Sequence, residues 1–426
     1  MLRIFATLAL LITGSLFAQP LRELTRLKAD LPLNADAYAF TNERGTLLLF
    51  QEGQQAHVFQ LTPNLRILQQ FKVLDLPEPS AYERLGFTYR DGNLYICYRE
   101  KQTGLLQVVQ VVQESESTEV FRVEEELAGD LQWGTFTHGG ILHIIRVPRF
   151  GDEIRLCRFE GRGEFSTTNY QVPAGFTERL AAGVQRIDSS NVGQIAATYL
   201  HNKMYLQRDQ LYLTLEDPGM TQVFHIDLTD QTQYLYEYPL PPSTLGSNSL
   251  LVDDHLLQLA LTPDSLYFQV SPVGEGLLPF LYGYSHEEPL PLQNGPAAMM
   301  SPAGLEYHDM AAADIAAEWQ DASHLALALE EGDIEHLILT CAGVWPEQER
   351  GISGAVIQED IRSLAFQGYL SPFDFHPISA PTTLMATKSF PPNSLQRAPL
   401  LVTFSQGGES YWGYYDRQDG SFVLGR

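Results

Sequence analysis

Leu85-Gly86-Phe87-Thr88-Tyr89-Arg90, then Asp91-Gly92, then Asn93-Leu94-Tyr95-Ile96-Cys97-Tyr98: two apolar runs meet at a two-residue polar joint. Asp-Gly suits such a joint because both residues take positive φ at low cost, so the stretch predicts a β-hairpin. Its second run has counterparts along the chain, beginning at Thr46, Ile141, Gln210, His255, Ser323 and Pro399. The successive intervals, with Asn93 included, are 47, 48, 69, 45, 68 and 76 residues. Three of them agree closely, and the other three read as the same period carrying insertions.

The copies continue alike. A third strand follows, as in Ala56-His57-Val58-Phe59-Gln60-Leu61, and a fourth, as in Leu65 to Phe71. Four short strands per unit of roughly 45 residues is the period of a β-propeller blade. One four-stranded sheet has two apolar faces and cannot bury them alone, whereas radial stacking buries both. The expected fold is therefore all-β: a single propeller of seven blades of four antiparallel strands, six or eight being the alternatives. The expected blades are 36–77, 82–127, 131–172, 202–241, 247–290, 303–368 and 374–426. A pair of β-sandwiches explains the hairpins but not the recurring four-strand unit.

The turns Asp227-Leu228-Thr229-Asp230 and Asp416-Arg417-Gln418-Asp419-Gly420 carry spaced acids whose side chains can bond back to the backbone. The second resembles the Asp-x-x-x-Gly element of several β-propeller repeat families. The resemblance is architectural and selects no one family: there is no Gly-His…Trp-Asp pair and no Ser-x-Asp-x-Gly-x-x-Trp box. Insertions are expected near 177–202, 291–321 and 345–361, with Met310 to Gln320, rich in Ala, the best helix candidate.

Met1-Leu2-Arg3, an apolar run from Ile4 to Phe17, and Ala18-Gln19 read as a secretory signal peptide over 1–18, leaving a domain of 19–426. A secreted or periplasmic location follows as the expectation, with no membrane span beyond the leader. Cys97, Cys157 and Cys341 are odd in number, widely spaced and set in apolar runs, so they read as buried free thiols. The net charge of −25 repels phosphate backbones and argues against nucleic acid as a partner.

Compact catalytic motifs are missing from the sequence. Gly161-Arg162-Gly163 reads as a turn, and Gly408-Glu409-Ser410-Tyr411-Trp412 as a strand connection, because neither opens a helix. His138 and His143, flanking Gly139-Gly140, could share a metal, but one turn histidine and one packed strand histidine is the simpler reading. Glu124-Glu125-Glu126 and Glu330-Glu331-Gly332-Asp333 lack the spacing of a calcium loop and read as solvated turns.

Ligands of a propeller are expected where connections enter the innermost strands around the central channel. The candidates there are Tyr82, Arg84, Trp133, His201, His308, Asp309, Asp374 and His376, with Lys203 close by. The functional expectation is a binding or interaction module for a neutral saccharide or a protein partner. The alternatives are a glycoside hydrolase or lyase using channel-mouth carboxylates and histidines, and a calcium-dependent lactonase-like hydrolase. A divalent metal such as calcium is the one cofactor considered.

Overall fold

The computed structural model describes residues 23–425, apart from 124–130, 275–279, 286–292, 347–360, 379–399 and shorter runs at several turns. The leader at 1–18, the Asp91-Gly92 joint and the acidic run at 124–126 therefore lie outside the described residues.

The strands form seven sheets, and five of these have four strands. In blades one to three the strands lie in chain order from the axis outward. Their innermost strands are Asp36–Asn42, Tyr82–Arg90 and Leu131–His138. Blades four and five start from Lys203–Gln207 and Gly246–Val252. These boundaries fall within a few residues of those expected.

Two blades differ from expectation. Blade six begins at His324–Asp333, not near residue 303. The hairpin Ala297–Ser301 and Gly304–His308 precedes that strand in the chain but pairs on the outer side, against Ile361–Leu370. Blade seven was expected over 374–426. It holds Val402–Gln406, Glu409–Asp416, Ser421–Gly425 and, as its outermost strand, Glu23–Lys28. Leu27 lies opposite Phe422, so the two ends of the described chain share one sheet. Arg26 ties this seam by pairing with Asp419 and, at 3.5 Å, with Asp416. The Asp416–Gly420 turn thus serves ring closure. The acids of the Asp227 turn behave as read: Asp227 Oδ1 accepts from the Thr229 amide at 2.8 Å, and Asp230 Oδ1 from the Thr232 amide at 2.9 Å.

Apolar side chains fill the spaces between blades. Phe50 and Phe59 of blade one meet Phe422 and Leu424 of blade seven, and Leu47 and Val58 meet Ile96 and Val109 of blade two. Tyr95 and Cys97 meet Ile144 and Phe159 of blade three, and Phe136 and Leu156 meet Leu213 and Phe224 of blade four. The largest cluster joins blades four, five and six. Each sheet buries both faces, which is why so many strands read as unbroken apolar runs. Cys97, Cys157 and Cys341 are buried thiols that form no disulfide, as expected.

The Ala-rich segment forms the helix Ala312–Gln320, as expected. Its Trp319 lies over Gly343, where a Cβ would stand 2.5 Å from the indole. The indole nitrogen donates to the Leu364 carbonyl at 2.9 Å, and the ring stacks on Phe366. The helix is therefore part of the core of blade six. No helix of the described residues is long and apolar enough to cross a membrane.

Candidate functional site

The first residues of the seven innermost strands gather at one end of the channel. Two of these strands carry a β-bulge at the equivalent place. In blade two the register shifts between Arg84 and Gly86, and in blade three between Gln132 and Gly134, with Trp133 as the extra residue. A bulge re-aims the side chain beside it. Arg84 is spent on joining blades. Its guanidinium carbon lies 3.6 Å from the centre of the Tyr38 ring, and Nη2 donates to Gln51 Oε1 at 2.6 Å. The Gln51 amide in turn donates to the carbonyls of Gly53 and Pro77. Tyr82 packs half-buried beside this group.

On the opposite side of the mouth, the insertion expected near 177–202 turns inward. Gln185–Ile187 adds a strand to blade four, parallel to Lys203–Gln207 and on its axis side. The Leu329 amide of blade six then donates to the Val192 carbonyl at 3.0 Å. Gly193 follows, so close to Glu330 that a Cβ would stand 2.6 Å from its Cγ. The short helix Ile195–Thr198 and Tyr199 pack on Ala326, Ala328, Ala342 and Val344. These small residues let a helix approach the sheet closely. The strand His324–Asp333 thus divides its sides, Leu325, Leu327 and Leu329 toward blade five and Ala326 and Ala328 toward the insertion. The segment acts as a plug bonded to the innermost strands of blades four and six.

Blade five joins through a buried polar group. Lys203 is fully buried, and its ammonium donates to Asn248 Oδ1 at 3.2 Å. Asn248 Nδ2 donates to the Tyr199 carbonyl of the plug at 3.1 Å. Burial pulls Lys203 down to about 8, against the opposing pull of Glu216. Burial pushes Glu216 up, opposed by Lys203 and by neighbouring hydroxyls. Thr221 Oγ1 donates to Glu216 Oε2 at 2.9 Å, and Gln258 donates to Thr221 at 2.8 Å. Glu330, pressed against Gly193, is pushed by burial up to about 7. It lies within the strand His324–Asp333, which includes the whole 330–333 run, and this corrects the reading of that run as a solvated turn.

The plug ends at the mouth in a ring cluster. His324 Nδ1 lies 3.4 Å from His201 Nε2, and the Tyr199 ring centre is 5.3 Å from that of His324. His201 is among the residues expected at the mouth, and His324 joins it because blade six begins there, later than the sequence pattern places it. The same difference displaces two other candidates. His308 and Asp309 stand at the outer hairpin of blade six, with His308 beside Glu306. Asp374 and His376 lie outside the described residues, and the innermost strand of blade seven starts at Val402 instead.

At the far end of blade three, His138 and His143 do face one another, with ring centres 6.0 Å apart. Among the described residues, no three His, Cys, Asp or Glu side chains come together in a way that could hold a metal ion. Arg162 and Gly163 form a tight turn with φ of 49° and 85°, as their sequence suggested.

No family model and no curated protein matches the chain. Solved structures similar to it include a Synechocystis apocarotenoid oxygenase mutant, at 7% identity and a TM-score of 0.33, covering 64% of each chain. A cobalt-substituted Synechocystis ACO matches at 7% identity and 0.32, covering 59% of this chain and 62% of that one. An ACO/RPE65 chimera gives the same four values. The chain spans less than two thirds of the length of these structures, and at such values the likeness assigns it no chemistry.

Proposed function

We propose that this chain is an exported binding module, a propeller that closes part of its own channel and takes its ligand at the mouth beside Tyr199, His201 and His324. The plug carries this reading, because it is bonded to the innermost strands it touches. A partner then meets a prearranged ring cluster at the rim, and little ordering is left to be done on binding.

The charge of the mouth supports a neutral saccharide or a protein partner over an anion. Arg84 is held by Tyr38 and Gln51, and Lys203 is buried. His201 and His324 at the rim, backed by the buried Tyr199, are amphipathic surfaces on which a sugar or a protein side chain can lie. The glycosidase alternative needs two carboxyls converging on one bond. Glu216 is taken up by Thr221, and Glu330 lies against Gly193. Both work as structural groups in this arrangement.

The test is calorimetric titration with neutral oligosaccharides, alongside a hydrolysis assay on the same compounds. Binding without turnover, weakened several-fold by His201→Ala or His324→Ala at unchanged thermal midpoint, is the expected result. Turnover abolished by Glu330→Gln would replace this reading with the hydrolase. Export is checked separately: material recovered from outside the cytoplasm should begin near Gln19, and an intact Met1 would refute it.

A further inference from the structure

Blades three and four part at the end of the ring away from the mouth. The space between them is a recess of about 320 Å³, walled by both blades. Blade three supplies the turn at His138 and three rows of a single sheet face. His143 stands opposite Arg158, which stands opposite Ser166; Leu156 faces Thr168, and Ile154 faces Tyr170. Blade four supplies Leu228 and Gln231 from its turn. The recess is therefore built from strands on one side and a tight turn on the other, and it belongs to neither the channel nor the plug.

Its polar groups are held in place. His143 Nδ1 lies 3.0 Å from the Ile141 carbonyl and donates to it, which leaves Nε2 as a bare acceptor. Phe136 stacks on the imidazole at 4.9 Å, with 5° between the planes. Burial holds this histidine down to about 4, so the acceptor persists at neutral pH. Tyr170 is 3% exposed, lines the recess, and its hydroxyl has no hydrogen-bond partner. That hydroxyl is closed off from the open space of the recess, so Tyr170 serves it as wall and His143 Nε2 is the acceptor a ligand hydroxyl meets. Thr168 adds a further hydroxyl, while Leu156, Leu228 and Ile141 supply apolar wall.

Charge is balanced at both rims. Arg158 donates to Glu160 at 2.9 Å, and Glu160 also receives Arg90. His138 Nε2 lies 3.6 Å from Asp209 Oδ1. The walls thus offer neutral donors and acceptors over an apolar floor, in a space that suits one small ring. We infer that this recess is a second binding site, for a neutral, hydroxyl-bearing ring of monosaccharide size. It goes beyond the mouth reading and stands without it.

The experiment uses the full chain with glucose, galactose, mannose and N-acetylglucosamine, and with glucuronate as the charged comparison, in ligand-observed NMR and calorimetry. At least one neutral sugar should bind saturably. His143→Phe and Thr168→Val should each weaken it roughly 2–10-fold, the worth of one hydrogen bond. Both substitutions stay close to the shape of the side chain, and the thermal midpoint reports folding separately. Tyr307→Ala, on the exposed outer hairpin of blade six, should leave the affinity unchanged. Failure of every neutral sugar to bind, indifference of the affinity to both substitutions, or tighter binding of glucuronate would each overturn the inference.

Discussion

Blades one to three and blades four to six use the same four-strand unit and finish it differently. In the first group each sheet lies directly on the next, as Ile96 does on Val58 or Ile144 on Cys97. In the second, segments outside the repeat complete the core: Trp319 fills the place over Gly343, and Val192 to Tyr199 line the inner side of blade six. A repeat that packs only on its neighbours needs apolar side chains at fixed spacing. A repeat that must also seat a helix needs gaps, and Gly343, Ala326 and Ala328 provide them. The insertions are therefore structural in origin, and the mouth chemistry at Tyr199 and His201 rides on one of them.

The sharpest break of this comparison is Trp319→Ala. If the helix Ala312–Gln320 is core, the substitution should cost about 3–5 kcal/mol in denaturant unfolding, the usual range for emptying a large buried aromatic site. A loss under about 1 kcal/mol, the range of a surface change, would make the helix an ornament and the two groups equivalent.

Acid–base behaviour should separate the groups next. Glu330 has its folded pKa raised to about 7, so the folded chain holds the extra proton. Stability should fall as pH rises from the ordinary glutamate range through 7, and Glu330→Gln should remove that slope. His143 in blade three has its folded pKa lowered to about 4. The unfolded chain takes that proton first, so stability should fall as pH drops from about 6.5 through 4. Each effect is on the order of 1–3 kcal/mol. The difference in thermal midpoint between the native chain and Glu330→Gln, and that between the native chain and His143→Gln, should slope oppositely with pH, and slopes of one sign would remove the contrast.

The smallest effect is expected at the seam. Arg26→Ala loses pairs that are partly exposed, with side-chain exposures of 38% for Arg26 and 59% for Asp419. It should cost about 0.2–1 kcal/mol, less at high salt. A much larger loss would show that the ring depends on this ion pair and not on Leu27 against Phe422.

 The seam itself is the burial of Leu27 beside Phe422 and Leu424.

The repeat was legible wherever a blade is made from one continuous stretch. The five blades from Asp36 to Ser285 could be read because turn residues and apolar runs alternate within about 45 residues. Closure was not legible, because Leu27 pairs with Phe422 across almost the whole chain. The signal was indirect: among the described residues three strands run from Val402 to Gly425, and the fourth comes from the other end of the chain. Blade six misled because its outer hairpin precedes its inner strand, and this moved the expected mouth residues to His308 and Asp309. The run His324-Leu325-Ala326-Leu327-Ala328-Leu329 held the correction. Strict alternation of large and small apolar residues marks a strand with a different neighbour on each face. The recess at His143 and Tyr170 was half visible, through the two histidines. Tyr170 comes from the outermost strand of that blade, opposite Ile154, and only the folded sheet brings it to the same recess as the histidines.

The plug is tested most directly by amide exchange at Leu329 in the intact protein. The innermost strand of a blade turns one edge to the channel, and an amide on an open edge exchanges freely with water. With Val192 bonded to it, the Leu329 amide should be protected as strongly as amides in the middle strand His336–Pro346. Exchange at Leu329 as fast as on an exposed edge, with that middle strand still protected, would mean an open channel and would contradict the account.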